Sequence, residues 1–284
     1  MKKILVIGIK GMAGHVIFNK LKSTEKYDVF GLARNIIQSD NTFNLDVAKT
    51  DELQSIITAN NFDVIVNAIG ILNKDAEDHP EKAVWFNSYF PHFLESLTKH
   101  KKTKIIHIST DCVFNGKKGA YTENDIKDGI GFYAQSKALG EIDNQKDLTI
   151  RTSIIGPELN KNGIGLFHWF MSVPQNLAIS GYSEAFWSGI TTVELANVIQ
   201  YILDNEISGL VQVAPQVKID KYSLLNLFNK IFRDNEIAIQ PNDQYKVDKS
   251  LVSIRKDFDY RVPDYSEMLN EMRVYIEKQN IYSY

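Results

Sequence analysis

The chain lacks the residues that would mark it as secreted, metal-built or membrane-embedded. It has one cysteine, Cys112, so no intramolecular disulfide can form and a reducing compartment is expected. Its six histidines are scattered without the spacing of a structural zinc site, and no metal is expected. No apolar run approaches the roughly 20 residues that cross a bilayer. The opening, Met1-Lys2-Lys3 before Ile4–Ile7, is broken by glycine too early for a secretion signal. A cytoplasmic protein without a membrane partner is the expectation. A dominant charge is missing too. The formal net charge of −3 argues against a general nucleic-acid binder. The basic run Lys99–Lys104 closes a helical stretch, where cations complement the helix C-terminus. Repeats, low-complexity tracts and Pro/Gly/Ser-rich linkers are absent.

What is present suits a large buried core: 44% of the residues are hydrophobic, enough for one large domain or two lobes. Near-continuous apolar strands alternate with helical periodicity. Strands are expected at Ile4–Ile7, Val29–Leu32, Thr42–Leu45, Asp63–Asn67, Lys104–Ser109 and Leu148–Ser153, with a long helix across Ala83–His100 and another from Tyr133 to about Asp143. This pattern predicts an α/β fold, a doubly wound parallel sheet of Rossmann type covered on both faces. Beyond Gly156 the regularity weakens. Residues 156–190 read as a loop-rich substrate cover, followed by helices from Thr191, at Ser223–Phe232 and from Tyr265, with a strand at Gly209–Val213. The expected organisation is a dinucleotide-binding domain over 1–155. A smaller substrate-binding lobe spans 156–284, with some segments returning to the first domain.

In such sheets ligands lie outside the carboxyl ends of the strands, and the residues there carry chemistry. Gly8, Gly11 and Gly14 follow the first strand and open a helix with Val16, Ile17, Phe18 and Leu21 facing inward. Such a turn lets backbone approach a diphosphate at a helix N-terminus. The spacing is Gly-x-x-Gly-x-x-Gly, so a purely structural turn is the competing reading. The second strand ends at Arg34, with no acid there; an arginine at this point accommodates the 2′-phosphate of NADP, or is a solvated surface residue. NADPH is the expected cofactor, with NADH the alternative. Asp46 and Val47 follow the third strand, where the carboxylate reaches an adenine amino group or caps the next helix. Tyr133 and Lys137 share one helix face. An adjacent ammonium favours the phenolate and moves the phenol toward neutrality, and such a tyrosine can give a proton to a carbonyl oxygen as hydride arrives.

Taken together, Gly8–Gly14, Asp63–Ala68, Asp75–Glu77 with Pro80 and Asn87, Ile108–Gly116, Tyr121–Glu123 and Tyr133–Lys137 with Gly140-Glu141 resemble the extended short-chain dehydrogenase/reductases. Within them, they resemble the dTDP-4-dehydrorhamnose reductase group. The likeness is good over about 1–155 and diffuse beyond. It implies that Gly8, Gly11, Met12 and Gly14 hold the diphosphate and that Ala68, Ile69 and Gly70 line the adenine–ribose and nicotinamide side. By the same likeness Thr110 hydrogen-bonds the substrate oxygen, Tyr133 is the general acid, and Lys137 binds the nicotinamide ribose and tunes the tyrosine. Asp111 positions the sugar or the active-site loop. The implied activity is NADPH-dependent reduction of the 4-keto group of a dTDP- or UDP-linked sugar, in deoxysugar or cell-surface polysaccharide synthesis. A homodimer is the common arrangement for such soluble enzymes. The chain departs from the pattern at Ile7, Ile9, Lys10, Ala134 and Cys112, and none removes a group the reaction needs. Trp169, Phe186 and Trp187 are stacking candidates for the substrate or core packing; Trp187 is taken as the substrate contact. Epimerase, dehydratase and non-catalytic NADP-binding subunit are the alternatives. A dehydratase needs a second carboxylate where Cys112 stands.

Overall fold

The computed structural model describes residues 1–284. Strands β1 (Lys2–Ile7), β2 (Tyr27–Ala33), β3 (Thr42–Asn44), β4 (Val64–Asn67), β5 (Lys104–Ser109) and β6 (Leu148–Arg151) form one parallel sheet with Gly209–Gln212, in the order Gly209–Gln212, β6, β5, β4, β1, β2, β3. The strand order turns back between β1 and β4, which makes a topological switch point there. Strand residues alternate between two buried faces. Ile4 and Val6 enter the core beneath α1 (Met12–Ser23), whereas Leu5 and Ile7 pack with Leu53 and Ile57 of α2 (Thr50–Asn60). Burial on both sides explains the continuous apolar runs.

The helices differ from the sequence expectation in two informative places. The stretch expected as one helix over Ala83–His100 follows the short α3 (Asn73–Asp78) and runs through α4 (Pro80–Ala83), a widened π turn at Val84–Tyr89, and α5 (Phe90–Thr98). Pro91 has no N–H to give the Asn87 carbonyl, so regular α-helical bonding cannot pass that point. The helix carrying Tyr133 and Lys137, α6 (Phe132–Leu139), stops before Asp143 because Gly140 is pressed against Asn87. A Cβ at Gly140 would lie 1.8 Å from the Asn87 carbonyl oxygen.

The 156–190 stretch, expected as loop, contains α7 (Leu166–Met171) and strands Ile179–Tyr182 and Ala185–Trp187. Those strands pair with Ile239–Asn242 and Val247–Asp248, far along the chain, so no local pattern announces them. The later helices begin where side-chain caps place them. Thr191 caps α8 (Thr192–Asp204), Asp220 caps α9 (Lys221–Phe232), and Asp264 with Glu267 makes a capping box on α10 (Tyr265–Gln279). No helix is long and apolar enough to cross a membrane.

Candidate active site

The carboxyl ends of β1, β2, β4 and β5 open onto a trough built from adjoining cavities. At its first end, a cavity of about 480 Å³ is lined by Gly8, Gly11, Arg34, Asp46, Val47 and Ala68–Gly70. A central cavity of about 510 Å³ shares Gly11 and Ala68–Gly70 and adds Met12, Thr110, Asp111, Tyr133, Lys137 and Trp187. An outer cavity of about 610 Å³ shares Asp111, Cys112 and Trp187 and is walled by Trp169, Tyr182, Phe186 and Tyr245. Residues separated widely in sequence are thus brought to one sheet edge.

The glycine turn is shaped for close backbone approach. Gly8 has φ of +96°, a conformation open to glycine but strained for other residues. Gly14 lines neither cavity. A Cβ there would lie 2.2 Å from the Gly8 carbonyl oxygen, so this glycine packs helix against turn instead of meeting a ligand. Gly11 is the N-cap of α1, which has no side-chain cap and no acidic residue in its first turn. The open N–H groups and helix dipole there suit an anion. A trough with this cradle at its switch point fits a dinucleotide.

At the end of β2, Arg34 pairs with Asp46 at 3.2 Å, and its side chain is 67% exposed. Asp46 also accepts from the Ala48 N–H (3.0 Å). Its carboxylate is therefore engaged in a local turn and an ion pair on the wall of the first cavity, and it does not cap α2, whose N-cap is Lys49 with no side-chain bond.

The central cavity gathers the titratable groups. Thr110, at the end of β5, accepts from the Cys112 N–H (3.1 Å) and donates to Asp111 Oδ1 (3.2 Å). Tyr133 faces Thr110, and burial holds its phenol above the ordinary range; Cys112 and Asp111 add to the rise and the Thr110 hydroxyl opposes it. The sequence expectation was the reverse. The reason is direction: Lys137 Nζ donates to the Ile108 carbonyl (2.6 Å) and lies 3.2 Å from His107 Nε2, so its hydrogen bonds point into the sheet. Burial also brings Lys137 down to about 8, with Glu141 opposing. A phenol that stays protonated is suited to giving a proton. Burial raises Asp111 as well, against the pull of Lys249 and Lys221, and pushes the Cys112 thiol up to about 11. Trp187 is buried, donates from Nε1 to Ser153 Oγ (2.8 Å), and carries the Lys221 ammonium 4.5 Å from its ring.

Sequence reasoning missed Lys221, Lys249 and His107, and took Asn67 only as part of a strand-end segment, with no role of its own. Lys221 begins α9 and joins both the central and outer cavities; nothing local distinguishes it from a surface lysine. His107 is different, since a lone polar side chain between Ile106 and Ile108 of a buried strand is a readable signal. Glu123, a carboxylate further along the chain from Asp111, is committed elsewhere. It accepts from the Gln212 and Ile254 N–H groups (3.1 and 3.0 Å) and from Ser253 Oγ (2.6 Å).

Comparison with known proteins matches residues 1–236 to the RmlD substrate binding domain. A dTDP-4-dehydrorhamnose reductase of Aggregatibacter actinomycetemcomitans is 30% identical over 168 residues, which cover 57% of this chain and 54% of that protein. The chain thus spans about half the length of that curated relative. Among solved structures, a hypothetical dTDP-4-dehydrorhamnose reductase from Sulfolobus tokodaii superposes with a TM-score of 0.76 at 25% identity, covering 93% of this chain and 98% of that one. The dTDP-4-dehydrorhamnose reductase of Bacillus anthracis, in complex with NADP, gives 0.81 at 18% identity over 97% and 99%.

Proposed function

The chain belongs to the RmlD substrate-binding-domain family, and from that premise we propose that it reduces the 4-keto group of a nucleotide-linked 6-deoxy-4-ketohexose with NADPH. The observation that carries this reading is the convergence of Thr110, Tyr133 and Lys137 on a cavity continuous with the glycine turn. Gly8, Gly11 and Met12 cradle the diphosphate, Ala68–Gly70 floor the trough, and Lys137 holds the nicotinamide ribose. The bound dinucleotide supplies the hydride. As hydride reaches the carbonyl carbon, negative charge grows on oxygen, and the Thr110 and Tyr133 hydroxyls are the donors that stabilise it there. Tyr133 then gives its proton to that oxygen.

Arg34 supports NADPH over NADH, since a planar guanidinium at the end of β2 pairs well with a 2′-phosphate. The outer cavity supports a nucleoside diphosphate as the substrate handle. Its aromatic rings offer stacking faces, and Lys221 and Lys249 offer cations for the diphosphate. Dehydration is disfavoured because Asp111 has no second carboxylate beside it in the chain and Glu123 is bound elsewhere.

The test is loss of NADPH absorbance with dTDP- and UDP-linked 4-keto-6-deoxyhexoses generated in place. Oxidation with one equivalent of sugar alcohol formed is the expected result, and the faster nucleotide identifies the handle. NADPH that binds but is not consumed with either series would overturn the reductase reading in favour of a binding subunit.

A further inference from the structure

Behind the Tyr133–Lys137 face lies a buried polar chain that the proposed reaction leaves unused. Asn67 ends β4 and His107 lies beside it in β5, and both side chains are completely buried. The Ile69 N–H donates to Asn67 Oδ1 (3.2 Å), Asn67 Nδ2 lies 3.2 Å from His107 Nδ1, and His107 Nε2 lies 3.2 Å from Lys137 Nζ. Lys137 in turn donates to the Ile108 carbonyl (2.6 Å).

Hydrogen-bond accounting fixes the protons in this chain. The Ile69 N–H claims the oxygen of the Asn67 amide, so the NH₂ must face the ring, and His107 Nδ1 must accept. A neutral imidazole has one N–H, and here that hydrogen can only be on Nε2, pointing at Lys137. An ammonium has no lone pair to accept it; a neutral amine does. Turning the Asn67 amide over would set its NH₂ against the Ile69 N–H, leaving two donors facing each other in a buried site.

We propose that Asn67 and His107 are positioning residues that hydrogen-bond, and so favour, the uncharged amine of Lys137. This rests on the proposed role of Lys137, which holds the nicotinamide ribose as the ammonium, and adds what sets the pH at which that charge is lost. The amine is the form that receives the His107 Nε2–H, so the pair lowers the pH at which Lys137 gives up its proton to water. The lowered values of Lys137 and His107 are in keeping with this, burial being the main cause in each. Other ionisable groups face the pair. Tyr133 lies on the same helix as Lys137 and Glu141 just past its end, the carboxylate of Glu141 being held by Arg151 and Lys127, and His92 of α5 acts on His107.

Nitrogen-resolved NMR of the histidine rings in the full chain tests the assignment directly. A neutral His107 protonated at Nε2 across pH 6 to 8 is expected; an Nδ1–H tautomer or an imidazolium in that range would overturn the proposal. The second measurement is the pH profile of kcat for His107→Gln, whose amide can turn its oxygen to the ammonium. Reduction uses the protonated lysine, so the alkaline limb should move upward by about one pH unit. A limb that coincides with the wild-type one would count against the pair. If the variant fails to fold, the tautomer measurement still decides. A protein inactive with every ketosugar would sink the reductase reading yet leave the ring spectrum unchanged, so the two failures are separable.

Discussion

Lys137, in the last turn of α6, and Glu141, just past the end of that helix at Gly140, are buried charged residues four apart, and their surroundings could hardly differ more. Glu141 accepts from Arg151 through both oxygens (2.9 and 2.8 Å), from Ser109 Oγ (2.8 Å) and from Lys127 (3.1 Å). Arg151 is itself buried, donates to Gln212 and lies 5.0 Å from the Phe114 ring centre. Burial pushes the Glu141 carboxyl up, but Arg151, Lys127 and Ser109 together outweigh it and hold it below the ordinary value. Lys137, just as buried, meets a neutral ring and a carbonyl, and burial wins. Desolvation is common to both; pairing decides the sign. The closed cluster fixes the end of β5 and so aims Thr110. The open one faces a cavity, where an ionisable group held away from its ordinary value is suited to chemistry.

The largest way to sharpen this contrast is at the open site. Tyr133→Phe removes the proton donor but leaves the ring in place, and kcat for ketosugar reduction should fall by about 10²–10⁴-fold with an unchanged urea midpoint. Activity close to wild type would show that the cavity does not work through this phenol. At the closed site the effect should appear in stability. Glu141→Gln strands the Arg151 guanidinium, and breaking a buried pair costs about 3–5 kcal/mol, read by urea unfolding at neutral pH. Glu141 has a folded value below its unfolded one, so its contribution is present above the ordinary glutamate range and lost as pH falls through the folded value. The gap between variant and wild type should therefore narrow in acid. A loss under 1 kcal/mol would mean that the cluster does not hold the sheet edge.

The two clusters were unequally legible in the sequence. Gly8, Thr110, Tyr133 and Lys137 stood out because each follows a strand end or shares a helix face, and short-range periodicity reports both. The sheet was legible for the same reason: β1, β4 and β5 are runs of buried apolar residues. What periodicity cannot report is direction. The spacing put Lys137 beside Tyr133, yet its ammonium turns toward His107 and Ile108, and only the packing of α6 on β5 decides that. Lys221 reaches the trough from α9, and Trp187 and Tyr182 lie on strands whose partners are far along the chain. Asp46 was open to two roles, and the ion pair with Arg34 that the fold gives it is one that neither named.

A smaller effect of opposite sign should follow from Lys137→Met, which keeps the length of the side chain and removes the charge. The folded value of about 8 lies below that of an unfolded lysine, near 10.4. The ammonium is therefore a burden below the folded value, and the burden fades as pH rises through the unfolded one. The variant should be more stable than wild type by roughly 1–3 kcal/mol at neutral pH and no more stable well above pH 10. It should also be inactive, since stability gained by removing an active-site charge is ordinarily lost function. A Lys137→Met protein that is less stable at neutral pH would break the contrast with Glu141.

The smallest effect on the fold belongs to a third kind of charge, the exposed pair of Arg34 and Asp46. With the arginine side chain 67% exposed, water and salt screen the pair, and such pairs contribute little to stability. Arg34→Ala should leave the urea midpoint where it is. Its effect should fall on cofactor choice, because losing a charge-assisted hydrogen bond to a 2′-phosphate weakens binding by roughly 10-fold or more. The KM for NADPH should rise by about that factor while the KM for NADH, which has no phosphate at this position, stays nearly level. Equal changes in both would place the arginine outside the phosphate site, and Lys10, whose Nζ lies 3.3 Å from the Asn35 carbonyl on the same cavity wall, would be the next residue to substitute. The three charges then separate: the closed pair acts first on stability and on rate only through the aim of Thr110, the open lysine on stability and rate in opposite directions, and the exposed arginine on selectivity alone.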